Sequence, residues 1–238
     1  MTRARRVPWV AGSAVALALL FGGVATVASA RGDGRGDGTG RVAAPAPRTP
    51  AVDSADAGFA RDMAVHHQQA VEMSFLVRDR TGDEEVRRLA YDIANTQANQ
   101  RGMMLGWLDL WELPKAAAGQ EPMAWMADGH EGHGMAGMDG TAGPASRYRA
   151  HDGSLMPGMA TRTELDRLRS ASGRKAEVLY LQLMTDHHKG GIGMANGCAR
   201  LCTVKVEKRL AQSMVEAQRS ELDVMADMLA ARGAKPRP

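Results

Sequence analysis

Aromatic residues are scarce in this chain: 10 of 238, or 4%. Cysteine is scarcer, with two, and an excess charge of either sign is missing from the body of the protein. Of the 30 Lys and Arg, three (Arg3, Arg5 and Arg6) stand in the first 30 residues, which hold no acidic residue; residues 31–238 therefore carry 27 charges of each sign. A neutral body has no surplus positive charge with which to neutralise phosphates, so nucleic acid is excluded as a partner. Two cysteines are too few for zinc bound by thiolates alone. A core poor in aromatic and β-branched residues but rich in Ala, Leu and Met argues for helices rather than sheet. The length allows one or two domains with a sizeable core.

What is abundant is methionine, 16 residues, and histidine in pairs: four of the seven His occur as two adjacent doublets. Before these comes an N-terminal segment of a different kind. The three arginines precede an uncharged, largely apolar stretch from Val7 to Ala30 that ends in Ala28-Ser29-Ala30. These are the parts of a secretory signal. At 24 residues the stretch is also long enough to serve as an uncleaved membrane anchor. Either reading places the remainder outside the cytoplasm, with membrane contact only through residues 1–30. Residues 31–52, rich in Gly and Pro, read as a disordered linker.

The strongest pattern is an internal repeat without gaps at an offset of 121 residues. FARDMAVHHQQAVEMS from Phe59 lies over YLQLMTDHHKGGIGMA from Tyr180, and the Arg87 segment RRLAYDIANTQANQRGMMLGWL lies over KRLAQSMVEAQRSELDVMADML from Lys208. Each copy predicts two helices. In the first they run over about Asp56–Arg80, with Gly82 as a stop, and from an N-cap at Asp83 to Pro114. In the second they cover about Lys175–Arg200 and Thr203–Arg232, closed by Gly233. Thr161 and Glu164 have capping-box spacing and predict a short helix between the copies. Two amphipathic hairpins, 53–114 and 161–233, cannot each bury an apolar face alone. The expectation is an all-α four-helix bundle joined by a Gly-, Met- and His-rich loop over 115–160.

Met63, His66/His67, Ala70 and Met73 fall on successive turns of one helical face, as do Met184, His187/His188, Gly191 and Met194. A residue with almost no side chain follows each doublet by one turn, which predicts space beside the imidazoles. Periodicity does not choose which His of each pair points inward. Gln97, Gln100, Gln218 and Glu221 occupy the core-facing stripes of the partner helices. Burying so many polar groups together is costly unless a metal or a closed hydrogen-bond network satisfies them. Imidazole with thioether suits copper, Cu(I) especially and Cu(II) as the alternative. Di-iron bundles need Glu-x-x-His, and the residue three before each first His is Met63 or Met184. Met104, Met214 and Met225 read as packing. In the loop, His130, His133, Met135, Met138, Met156 and Met159 form a second candidate ligand set, a low-affinity collector or else a compositionally biased insert. Cys198 and Cys202 suit a disulfide at a helix end in an oxidising compartment, with Cu(I)–thiolate binding as the alternative.

With FARDMAVHHQQAVEMS, LQLMTDHHKGGIGMA and the M-P-G-M stretch ahead of ELDRLRSASG, the sequence resembles the bacterial family called domain of unknown function 305, over roughly Asp53 to Arg232. The resemblance implies a ferritin-like four-helix bundle, exported or membrane-anchored. Some members are periplasmic copper-binding proteins that use Met and His ligands. By motif this points to Met63, His66, His67, Met73, Met184, His187, His188 and Met194. Lys189-Gly190-Gly191 and the cysteine pair depart from the commoner pattern. The combined expectation is an exported copper-binding protein for buffering, storage or tolerance, with Gln97, Gln218 and Glu221 supporting the ligands. Two rival readings are a metal-dependent redox enzyme (a cuprous oxidase or ferroxidase) and a metal-free helical interaction module with a pH-sensitive His surface. No acid/base pair or nucleophile supports an enzyme, and homo-oligomerisation is left open.

Overall fold

The structure, a computed structural model, describes residues 49–127 and 148–238. His130, His133, Met135 and Met138 lie outside the described residues, as do residues 1–48. Among the described residues there are five α-helices and no sheet: α1 (Ala55–Arg78), α2 (Glu84–Leu110), α3 (Arg162–Ser170), α4 (Gly173–Leu201) and α5 (Lys205–Ala231). None of these helices is long and apolar enough to cross a membrane.

Local chemistry sets the boundaries. The Asp83 carboxylate accepts the amide protons of Glu85 and Val86 at 3.1 and 3.0 Å, starting α2. Thr161 and Glu164 form both halves of a capping box and start α3. Gly233, with φ +64°, lies just past α5. The first helix stops differently from the expectation. It ends at Arg78, and the Asp79, Arg80 and Thr81 amides turn back to the carbonyls of Phe75 and Val77, so Gly82 is not the stop. The run Arg80-Thr81-Gly82 is spent on the turn.

Helices α1 and α2 form one antiparallel hairpin and α4 and α5 another, and the hairpins meet through α1 and α4. Met63 of α1 shares an apolar cluster with Met194 of α4, while Met73 shares a second with Met184. The two helices therefore run in opposite directions, with their His doublets at the same level. Buried polar groups fasten each end. Asp56, in the first turn of α1, accepts from the amides of Thr203 and Val204 at 2.8 and 2.7 Å. At the other end, the Thr81 hydroxyl donates to Glu177 at 2.6 Å, and Arg232 bridges Glu177 and Asp83 at 2.8 and 2.9 Å.

Both described flanks of the long loop pack on α1. Trp125, in a 3-10 turn over Ala124–Met126, donates its indole proton to Asp62 at 2.9 Å and meets Phe59 edge to face at 5.8 Å. On the other flank, Gln69 of α1 reads both sides of the Ala160 backbone, donating to its carbonyl at 2.9 Å and accepting from its amide at 2.7 Å.

Candidate metal centre

The repeat becomes geometry where α1 crosses α4. His66 and His187, equivalent positions of the two copies, face each other with ring centroids 3.8 Å apart. His67 and His188 flank this pair at 6.4 and 6.5 Å from their respective neighbours. All four rings are buried, none more than 1% exposed. Periodicity could not choose one His of each doublet because both are inside: α1 and α4 each pack against several helices, so adjacent positions on the same turn find different covered sides.

Partners then decide which ring atom is free. His187 Nε2 donates to the His66 carbonyl at 2.9 Å, His67 Nε2 to the Gln100 side-chain oxygen at 2.8 Å, and His188 Nε2 to the Glu221 carboxylate at 2.6 Å. An oxygen of these kinds accepts, so each of the three rings carries a proton on Nε2, which leaves Nδ1 as the nitrogen that could face a metal. Neither Nδ1 of His67 and His188 has a hydrogen-bond partner, and neither does either nitrogen of His66. The Pro157 carbonyl lies close enough to His66 to oppose its loss of basicity slightly without forming a hydrogen bond of normal geometry.

Burial keeps His66, His67 and His187 neutral. Burial pushes His66 down to about 3, helped by His67 and His188. Burial also takes His67 to about 4, with the Gln100 bond opposing. His187 falls well below its ordinary range through burial, with His66, His188 and His67 adding. Neutral imidazole is the form that binds a metal.

The thioethers bracket this level. Met63 and Met194 lie in the apolar cluster on one side, Met73 and Met184 in the cluster on the other, and all four are buried. Met104 and Met214 pack in the first cluster and Met225 in the second. Gln97 and Gln218 are buried as well. Both amide atoms of Gln97 and the oxygen of Gln218 lack partners. The expected space at Gly191 is taken: the Gln218 oxygen sits 2.6 Å from where a Cβ would be. Glycine here admits an amide from α5 rather than leaving a void.

Sequence reasoning gave Gln100 no separate task, although it orients His67 as its repeat equivalent Glu221 orients His188. It also missed the cover over the centre. Met156 is buried in the cluster of Met63 and Met194, and Met159 packs partly buried against it. Between them Pro157 and Gly158 lie on α4 backbone to backbone. A Cβ on Gly158 would strike the Asp186 carbonyl, and one on Gly190 the Pro157 carbonyl. Lys189 stays outside, 3.6 Å from Asp186. Cys198 and Cys202 are joined in a disulfide where α4 ends, Cα atoms 4.8 Å apart.

Three of the four buried imidazoles keep a ring nitrogen without a partner and thioethers bracket them, a donor set that suits a soft cation, although no three of the histidine nitrogens lie within 4.8 Å of one another. The thioethers carry no charge, and the desolvation cost of a buried ion rises steeply with its charge.

Comparison with known proteins agrees with this architecture. The model of a family described as domain of unknown function (DUF305) matches residues 56–229. A DUF305 protein of Streptomyces coelicolor, considered secreted, is 60% identical; the match covers 79% of this chain and 99% of that one, with a TM-score of 0.66. A DUF305 fragment from Deinococcus radiodurans is 25% identical over 74% of this chain and 96% of that one, with a TM-score of 0.55. CopM in the Cu(I)-bound form shares the fold at 19% identity, covering 74% and 96%, with a TM-score of 0.51. No curated protein matches.

Proposed function

The chain belongs to the DUF305 family, and from that premise we propose that it is an exported copper-binding protein that holds Cu(I) between α1 and α4. The observation that carries this reading is the cluster of four buried imidazoles, of which His66, His67 and His188 each keep a ring nitrogen without a partner. The four long helices act as a ferritin-like bundle whose function is to hold that cluster. His66, His67, His187 and His188 supply nitrogen ligands, and Met63, Met73, Met184 and Met194 supply sulfur. Gln100 and Glu221 fix ring orientation, and Gln97 and Gln218 offer polar atoms beside the ligands. Cu(II) is the less suited state, because thioethers and buried neutral rings stabilise it less. Support comes also from relatives: CopM is Cu(I)-bound, and the Streptomyces coelicolor protein is considered secreted. Buffering, storage or tolerance is the function that fits such a site.

Titration of the exported protein with Cu(I) against a competing chelator tests this. Tight binding is expected, with loss of at least tenfold in affinity when His66, His67, His187 and His188 are all replaced by Ala in a chain that remains helical. Unchanged affinity in that variant would move the site to the loop that carries His130, His133, Met135 and Met138. No tight binding at all would end the copper reading.

A further inference from the structure

Beyond Met194, where α4 gives way to α5, lies a second buried cluster that the histidine centre does not use. Glu207, in the first turn of α5, is completely buried; its carboxyl oxygens accept from no donor, and its polar contact is with the Asp56 side chain. The adjacent Asp56 is occupied, accepting from the Thr203 amide and hydroxyl at 2.8 and 3.1 Å and from the Val204 amide at 2.7 Å. A buried carboxyl that accepts no hydrogen bond is costly, and such a group in a native fold calls for an explanation. The Glu207 carboxylate and the sulfurs of Cys198 and Cys202 all lie within 4.8 Å of one another. In the disulfide the sulfurs are poor ligands. As thiolates they are among the strongest for borderline and soft metals.

We propose that Cys198, Cys202 and Glu207 form a redox-gated metal site, closed while the disulfide is intact and able to take a divalent thiophilic cation such as Zn(II) when it is reduced. Charge selects the divalent ion: two thiolates and a carboxylate carry three negative charges, which a monovalent cation would leave largely uncompensated in a buried place. Two thiols alone would be a poor zinc site. The third ligand comes from α5, across the turn that Asp56 holds.

The electron count is that of thiol–disulfide exchange. A dithiol reductant supplies two electrons and two protons and leaves as its own disulfide. The Cys198–Cys202 bond breaks and two thiols form. The cation then displaces the protons of the ligating groups and binds the two thiolates with the Glu207 carboxylate, leaving a position for a fourth ligand. No residue is shared with the histidine centre, so the proposal stands whether or not that centre binds copper.

The exported protein is reduced with a water-soluble phosphine and titrated with Co(II), a spectroscopic substitute for Zn(II), while helical circular dichroism is followed. Reduced protein should develop a thiolate-to-cobalt charge-transfer band at one ion per chain, which Zn(II) abolishes. Unreduced protein should show none. Glu207→Gln, which preserves the cysteines and the volume, should weaken binding tenfold or more. Replacing His66, His67, His187 and His188 by Ala should leave the band intact. The proposal is overturned if the reduced protein gives no such band, if Glu207→Gln binds as the wild type does, or if the disulfide resists reduction while the chain stays folded. Loss of helix on reduction that metal does not reverse overturns it as well.

Discussion

At the residue scale, two equivalent positions hold different groups. Gln100 and Glu221 stand 121 residues apart in the repeat and each accepts the Nε2 proton of a histidine, one with an amide and the other with a carboxylate. A carboxylate raises the donor strength of the ring it holds and adds a charge that a bound cation feels. Glu221→Gln makes the halves alike, and a Cu(I) competition titration should then show affinity about ten- to a hundredfold lower with an unchanged helical spectrum. Glu207 acts on stability instead. Burial, with the Asp56 carboxylate adding, pushes its pKa from an ordinary 4.5 up to about 9. The folded chain thus holds a proton that the unfolded chain releases near pH 4.5. Stability from this group is complete below that pH and is lost as pH rises toward 9. In the disulfide-bonded protein, Glu207→Gln should raise the melting temperature at pH 8 and leave it nearly unchanged at pH 4.5.

At the element scale, the segment over Met156–Met159 depends on glycine in α4. Gly190→Ala puts a methyl group into the Pro157 carbonyl, backbone against backbone, so neither side can yield by changing rotamer. A loss of about 1–3 kcal/mol is expected, seen as a lower thermal midpoint. Gly193→Ala, three residues on with nothing within 4 Å of the new methyl, should gain up to about 1 kcal/mol from helix propensity. Legibility also varies by element. The α2 start at Asp83, the capping box of α3 and the level of the His doublets follow from local spacing and capping chemistry, so they can be read along the chain. The fit of Gln218 against Gly191 and the docking of Trp125 on Asp62 join parts remote in sequence, and the place of Glu207 beside the nearby cysteines is set by the turn between α4 and α5. Periodicity assigns a residue to a face without saying what meets that face.

At the scale of the whole molecule, an internal repeat has become an approximate two-fold arrangement with His66 and His187 at its centre. The same burial that creates the site burdens the metal-free fold. His66 and His67 stay neutral down to about 3 and 4 when folded, whereas an unfolded chain takes up protons below their ordinary 6.5. Their contribution is therefore complete above pH 6.5 and is lost as pH falls toward 4, because the unfolded state binds more protons there. Thermal melts of the metal-free protein should show this acid limb, and replacing both residues by Ala should flatten it. On the proposed reading Cu(I) prefers the folded state, so at a free concentration a hundred times its Kd it should add up to about 2.7 kcal/mol. That increment should vanish in the four-histidine variant.

The most direct measurement is anomalous diffraction at the copper edge from crystals of the Cu(I)-loaded exported protein. The account predicts a copper peak between α1 and α4, within bonding distance of His67 Nδ1, His188 Nδ1 or a His66 ring nitrogen and of at least one of Met63, Met73, Met184 and Met194. Copper found only elsewhere, or no ordered copper in a fully loaded protein, would contradict it.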